Sequence, residues 1–170
     1  HLGKSPVLMS SVNGETRAKV ATNLLHDYGY FNGSVSYKEV PQKNPKEAKV
    51  SYVIDMARPY FLDSIAYLKY PHYADSLIQS TRSLSVLKSE ENFSVIKLEE
   101  ERQRLSNLFR NHGYYYYRPE FTTYRADTLQ KSGYVSLQVV PRNGIPAEAK
   151  KQYYIGNTSV YLTGYDNEPP

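Results

Sequence analysis

A chain of 170 residues, 40% of them hydrophobic and 22% charged, has room for one ordinary domain or two small ones and the composition of a globular protein. It contains no cysteine, which excludes disulfides, thiolate catalysis and cysteine zinc sites together, and no run approaches the ~20 apolar residues of a membrane helix. The net charge of +4 comes from 21 basic and 17 acidic residues that are interspersed, unlike the basic stripe of a nucleic-acid footprint.

From the N-terminus, His1 to Val12 holds only the broken apolar run Pro6-Val7-Leu8-Met9 and no secretory-leader pattern. Val20, Ala21, Leu24, Leu25 and Tyr28 then fall at helical spacing, with Asn13 or Thr16 able to cap the start, so a helix is predicted over about 15–28. Gly29 stands where a left-handed residue ends a helix. The period changes to two as Val35 and Tyr37 alternate with Ser34, Ser36 and Lys38, and a polar turn from Pro41 to Lys46 leads to a second strand from Lys49 to Met56. Tyr60 to Leu68 is a further strand candidate, followed by a helical stretch around Tyr73 to Leu84 and a loop through Glu91.

Leu98, Leu105, Leu108 and Phe109 form the apolar stripe of the next helix. Ser94 is its cap, Phe93 against Leu98 suits a hydrophobic staple, and Glu99 to Glu101 sit near its positive end. Gly113 ends it. Tyr115, Tyr117 and Phe121 share a face and predict a strand, the polar turn Ala126 to Ser132 follows, and Val135, Leu137 and Val139 alternate with Ser136 and Gln138 in a strand from Tyr134 to Val140.

One element is used twice. Leu24-Leu25-His26-Asp27-Tyr28-Gly29-Tyr30-Phe31 matches Leu108-Phe109-Arg110-Asn111-His112-Gly113-Tyr114-Tyr115, each closing a helix and opening an alternating stretch. A complete unit therefore reads β-α-α-β-β, an α+β arrangement. Tyr153-Tyr154-Ile155 and Ser159-Val160-Tyr161-Leu162 echo the strand beginning at Tyr60. Residues 1–57 are then expected to be the C-terminal part of one unit, 58–142 a whole unit, and 147–170 the first strand of another.

This order, with its Gly-Tyr-Phe or Gly-Tyr-Tyr step from second helix to second strand, resembles the POTRA domains of the BamA/TamA outer-membrane insertase superfamily. The Tyr114-Tyr115-Tyr116-Tyr117 run departs from a tidy version of that pattern. The resemblance implies tandem units, each a three-stranded mixed sheet with two helices on one face. It implies a periplasmic location, tethered to a Gram-negative outer membrane through a C-terminal β-barrel of the same parent chain, in an outer-membrane protein assembly or translocation factor. Unfolded outer-membrane proteins, periplasmic chaperones or accessory lipoproteins are the partners expected, with no enzymatic activity, cofactor, metal or nucleic acid. It also places the second strand of each unit at an exposed edge, where unpaired N–H and C=O groups can pair with an incoming extended chain. The partner-binding candidates are Ser34, Val35, Ser36, Tyr37 and Lys38 in one unit and Tyr115, Tyr116, Tyr117 and Arg118 in the other. The plainer alternative is an edge that is solvated or covered by a neighbouring domain.

Catalytic chemistry finds little support. His26 and His112 occupy equivalent helix ends and neither has metal-binding spacing, no nucleophile elbow or phosphate-cradling loop occurs, and adjacent Glu99, Glu100 and Glu101 point apart. Outward tyrosines of the Tyr114–Tyr117 run could hold unfolded clients or merely cover neighbouring side chains. Arg142, Lys150 and Lys151 could touch lipid headgroups or be solvated. Two alternatives to polypeptide binding stand: a rigid spacer between accessory proteins and a membrane barrel, and an RNA-binding module whose aromatic residues stack bases.

Overall fold

The computed structural model describes residues 12–44 and 47–161; residues 1–11, 45–46 and 162–170 lie outside it. Helix α1 (Gly14–Asp27) is capped by Asn13, whose side-chain oxygen accepts the Thr16 N–H at 2.9 Å. Strands β1 (Ser34–Pro41) and β2 (Ala48–Asp55) form an antiparallel hairpin in which Ser34 faces Asp55 and Tyr37 faces Tyr52. α1 lies against β1 through its smallest residues. A Cβ on Gly14 would stand 2.5 Å from the Tyr37 ring, and Gly14 and Ala18 are the buried residues of the helix. The predicted stripe is placed only in part, since Ala21 and Leu25 are half-buried while Val20 is 63% and Leu24 54% exposed. Among the described residues the hairpin is the main partner of this helix, and close approach to it selects small side chains.

The second unit is complete. Strand β3 (Phe61–Tyr67), helices α2 (His72–Ser80) and α3 (Val95–Asn111), and strands β4 (Thr122–Asp127) and β5 (Tyr134–Pro141) give the order β-α-α-β-β. The sheet order is β3-β5-β4, with β3 parallel and β4 antiparallel to β5. Parallel pairing of β3 with β5 is possible because two helices intervene and carry the chain back across the sheet. Ser94 caps α3, as expected. Alternate residues of β5, Val135, Leu137 and Val139, join Leu62, Ile78, Leu105 and Phe109 in one buried cluster under both helices. Burying each such side chain contributes about 1.5–3 kcal/mol. The other sheet face carries Arg125 opposite Gln138 and Ser136 opposite Asp127, a polar surface suited to water.

The two helix ends repeat each other bond for bond. At Gly29 (φ +89) the Gly N–H donates to the His26 carbonyl and the Tyr30 N–H to the Leu25 carbonyl; at Gly113 (φ +93) the pair is Arg110 and Phe109. This double bond pattern with a left-handed Gly closes a helix while using its last carbonyls. A tight turn follows in both units, Gly33 N–H to the Tyr30 carbonyl at 2.8 Å and Tyr117 N–H to the Tyr114 carbonyl at 2.9 Å.

Here the units diverge. β1 begins at once, whereas Pro119 opens a 3-10 turn (Pro119–Phe121) and β4 starts only at Thr122. Proline has a fixed φ and no N–H, so it suits the first position of a helical turn and cannot donate to a strand ladder. Tyr115, Tyr116, Tyr117 and Arg118 are therefore not a strand, and Ala126 and Asp127, expected in a turn, belong to β4.

A polar network under α3 ties this unit together. Glu101 is fully buried and takes Arg104 in a bidentate pair, Nε at 2.9 Å and Nη2 at 2.6 Å, together with the Tyr67 hydroxyl and the Val86 N–H at 3.2 Å. Burial pushes this carboxyl up, but the guanidinium, the phenol and the amide outweigh it and hold Glu101 below the usual carboxylate range. Burial and the bond to Glu101 in turn push the Tyr67 phenol up to about 12. The Tyr70 hydroxyl is buried beside Tyr117 and Thr122 without a well-formed hydrogen bond among the described residues. Tyr70→Phe is expected to change stability by no more than about 1 kcal/mol, read as the midpoint of a urea titration.

Candidate functional site

An edge strand offers a row of backbone donors and acceptors, and its usefulness depends on what already occupies them. In the hairpin, β1 pairs only with β2 among the described residues. Ser34, Val35, Ser36, Tyr37 and Lys38 all lie in β1, as expected. The outward N–H of Val35, however, is taken by the Thr22 hydroxyl at 3.0 Å. Because alternate residues of an antiparallel strand point the same way, Tyr37 and Glu39 share that outward side and Pro41 ends it without a donor. The open part of this edge is Tyr37 to Glu39.

In the complete unit the two outer strands differ. β3 is covered along its first half by a returning segment: Leu62 N–H donates to the Glu91 carbonyl, Glu90 N–H to the Leu62 carbonyl and Phe93 N–H to the Tyr60 carbonyl. Among the described residues β4 has β5 on one side and no strand on the other. Its side chains anchor it on the helix side, where the Tyr124 hydroxyl donates to the Leu98 carbonyl at 2.6 Å. The edge available in this unit is Thr122 to Asp127, four residues past Arg118. Pro119 and the β-branched pair Thr122-Thr123 were the signals that mark this start.

The four sequence candidates that are not in a strand have other places. Tyr117 is buried, with Phe109 and Phe121 rings 4.7 and 5.6 Å away and its hydroxyl 3.1 Å from that of Thr122. Tyr115 is 62% and Tyr116 50% exposed, edge to face with each other, and Arg118 is exposed beside Glu120. Tyr116 also meets the Tyr153 ring at 5.2 Å. Thus two tyrosines of the run form an outward aromatic surface outside both edge strands.

That surface lies at a joint that the chain builds twice. The Gly29 carbonyl accepts the Tyr60 N–H at 2.8 Å, and the Gly113 carbonyl accepts the Tyr153 N–H at 2.7 Å. In the first joint Phe31 sits 5.1 Å from both Tyr60 and Phe93, and a Cβ on Gly29 would meet the Phe93 carbonyl at 2.7 Å. Tyr153-Tyr154-Ile155 makes no strand pairing among the described residues, and Tyr154 and Ile155 are exposed; Leu162, expected in the same unit, lies outside them.

Of the remaining candidates, His26 and His112 each contact a backbone carbonyl, Gly33 at 3.2 Å and Leu108 at 2.8 Å. Arg142 lies over the Phe121 ring, while Lys150 and Lys151 are exposed. No cluster of metal-binding side chains occurs among the described residues, and no described helix is long and apolar enough to cross a membrane.

No family model matches the chain, and no curated protein matches it in sequence. Solved structures similar to it include POTRA domains 3–5 of BamA from Haemophilus influenzae, at 13% identity and a TM-score of 0.42 over 76% of this chain and 47% of that one. BamA from Haemophilus ducreyi lacking POTRA domains 1–3 is similar at 12% identity and a TM-score of 0.47, over 84% and 24% of the two chains. The N-terminal domain of Omp85 from Thermosynechococcus elongatus is similar at 18% identity and a TM-score of 0.35, over 81% and 58%. The chain thus spans about half or less of the two BamA chains and 58% of the Omp85 domain. Its own strand order and hydrogen bonds, described above, define its α+β fold.

Proposed function

We propose that this chain is a periplasmic, polypeptide-binding part of a Gram-negative outer-membrane protein assembly or translocation factor, holding extended segments by strand addition on the outer edge of each unit's second strand. The observation that carries this reading is the sheet order β3-β5-β4, which sets the second strand outermost and, among the described residues, leaves β4 without a strand on its free side. β1 occupies the same position in the first unit, with Tyr37 and Glu39 open. Main-chain pairing depends little on the guest's side chains, which suits many unfolded clients. The partners implied are unfolded outer-membrane proteins, periplasmic chaperones or accessory lipoproteins, with a barrel later in the parent chain. Boundaries of 1–57, 58–142 and 147–170 remain our assignment of the units.

A second reading, a rigid spacer, is favoured by the repeated joint at Gly29 and Gly113, whose carbonyls clamp the next segment. Backbone amide NMR separates the two during titration with an unfolded outer-membrane barrel peptide and a scrambled control. The expected result is saturable shifts at Tyr37–Glu39 and Thr122–Asp127. Glu39→Pro removes one outward donor from an exposed edge and should weaken binding at β1 about ten-fold, with a stability loss of roughly 1 kcal/mol or less. Val35→Pro is a poorer probe because it also breaks the bond to Thr22, and Tyr117→Pro would disturb the core. Flat titrations at both edges would leave the spacer.

A further inference from the structure

A cavity of about 390 Å³ opens where the start of α2, the end of α3 and the segment after β5 meet. That volume lies in the range of small-molecule sites, ~300–1,000 Å³. Pro71, Ala74, Phe109, Tyr114 and Ile145 contribute its apolar wall. Lys69, Arg142 and Lys150 also line it, and no acidic side chain does. None of these three cations has an ion-pair partner among the described residues. The acidic neighbours in sequence do not line the cavity: Asp75 lies in the first turn of α2, and Glu148 lines an adjoining cleft with Glu120, Arg118 and Arg142, whose guanidinium lies over the Phe121 ring of that cleft.

Two further features mark this end of the cavity. α2 starts behind Pro71 with no side-chain cap, and Asp75 in its first turn offsets the positive end of its dipole. Lys69 is held at φ +65, a left-handed conformation that a residue with a Cβ adopts only when its surroundings impose it. An apolar cavity with unpaired cations at its mouth fits a ligand that is apolar along its length and anionic at one end.

We infer that this cavity binds a single-chain fatty carboxylate, its alkyl chain against Ala74, Phe109 and Ile145 and its carboxylate between Lys69 and Lys150. No residue of β1 or β4 lines the cavity, so a ligand there leaves the outward backbone of both edges open to a guest. The test is an NMR titration of the chain with decanoate below its aggregation concentration, with decyltrimethylammonium and acetate as controls. The expected result is saturable one-to-one shifts confined to Lys69–Ala74 and Arg142–Lys150 with decanoate, weaker shifts with acetate, and none of this pattern with the cationic amphiphile. The double variant Lys69→Glu/Lys150→Glu, which changes only exposed side chains, should raise the Kd by about ten-fold at low salt. Equal saturation by decyltrimethylammonium, scattered non-saturating shifts, or an unchanged Kd in the double variant would each overturn the assignment. So would binding to anionic phospholipid vesicles that decanoate does not compete, since contact would then be with headgroups outside the cavity.

Discussion

Glu101→Leu should lower the unfolding free energy by about 3–5 kcal/mol in urea, the cost of removing one partner from a buried ion pair. The reason is local. Without the carboxylate, which is itself fully buried, the half-buried Arg104 guanidinium, the buried Tyr67 hydroxyl and the Val86 N–H lose a common acceptor. Glu101→Gln keeps an acceptor but not the charge, and should fall between wild type and Glu101→Leu. The pH dependence identifies the cause. Since Glu101 is held below the usual carboxylate range, its contribution is fully present above its unfolded pKa of about 4.3 and is lost as pH falls through the lower folded value. The stability gap between wild type and Glu101→Gln should therefore be constant from about pH 7 to 5 and narrow below about pH 4. A gap that did not change with acid would point to packing instead of charge.

Gly29→Ala should uncouple the two units. At φ +89 any side chain is strained, and here the new Cβ would also meet the Phe93 carbonyl at 2.7 Å, so relief requires moving the second unit away. A backbone strained in this way costs about 1–3 kcal/mol. Hydrogen exchange at the Tyr60 amide, which donates to the Gly29 carbonyl, should accelerate ten-fold or more, while amides of β5 keep their protection. Gly133→Ala is the control: it has φ +78 but nothing within 4 Å of its Cβ. It should cost only the conformational strain, about 1–2 kcal/mol, and leave the Tyr60 amide unchanged.

Local signals in the sequence were strongest where one residue has a single task. Gly29 and Gly113, Asn13 and Ser94 mark helix ends by their own chemistry, and the alternation Val135-Leu137-Val139 reports the face of β5 directly. The edge position of each unit's second strand was implied by the resemblance and not by residue pattern, and in one unit four residues were assigned to that strand too early. Tyr115, Tyr117 and Phe121 fall on one face of an extended chain and so look like a strand, and the hydrogen bond from Tyr117 back to Tyr114 that turns the chain has no signature in side-chain type. The buried face of α1 was misread in part for a related reason: hydrophobicity ranks Val20 and Leu24 above Gly14 and Ala18, whereas close approach to β1 depends on small size. Glu101 was hidden altogether. Its burial depends on Tyr67 and Val86, which reach it from distant parts of the chain, and three consecutive glutamates give no hint of which one turns inward.

The position of β5 in the middle of the sheet has a kinetic consequence. The first strand of the unit, Phe61–Tyr67, pairs with the last, Tyr134–Pro141, so nearly the whole unit must be closed as a loop before the central contacts form. Contacts of such long sequence separation slow folding, because closure entropy is lost before burial returns anything. A chain delivered from its N-terminus therefore carries Leu62 and Ile65 without their strand partner until Val135 and Leu137 arrive. During that interval the unit is itself an unfolded client, with the same exposed strand and the same exposure to aggregation as the polypeptides it is proposed to hold.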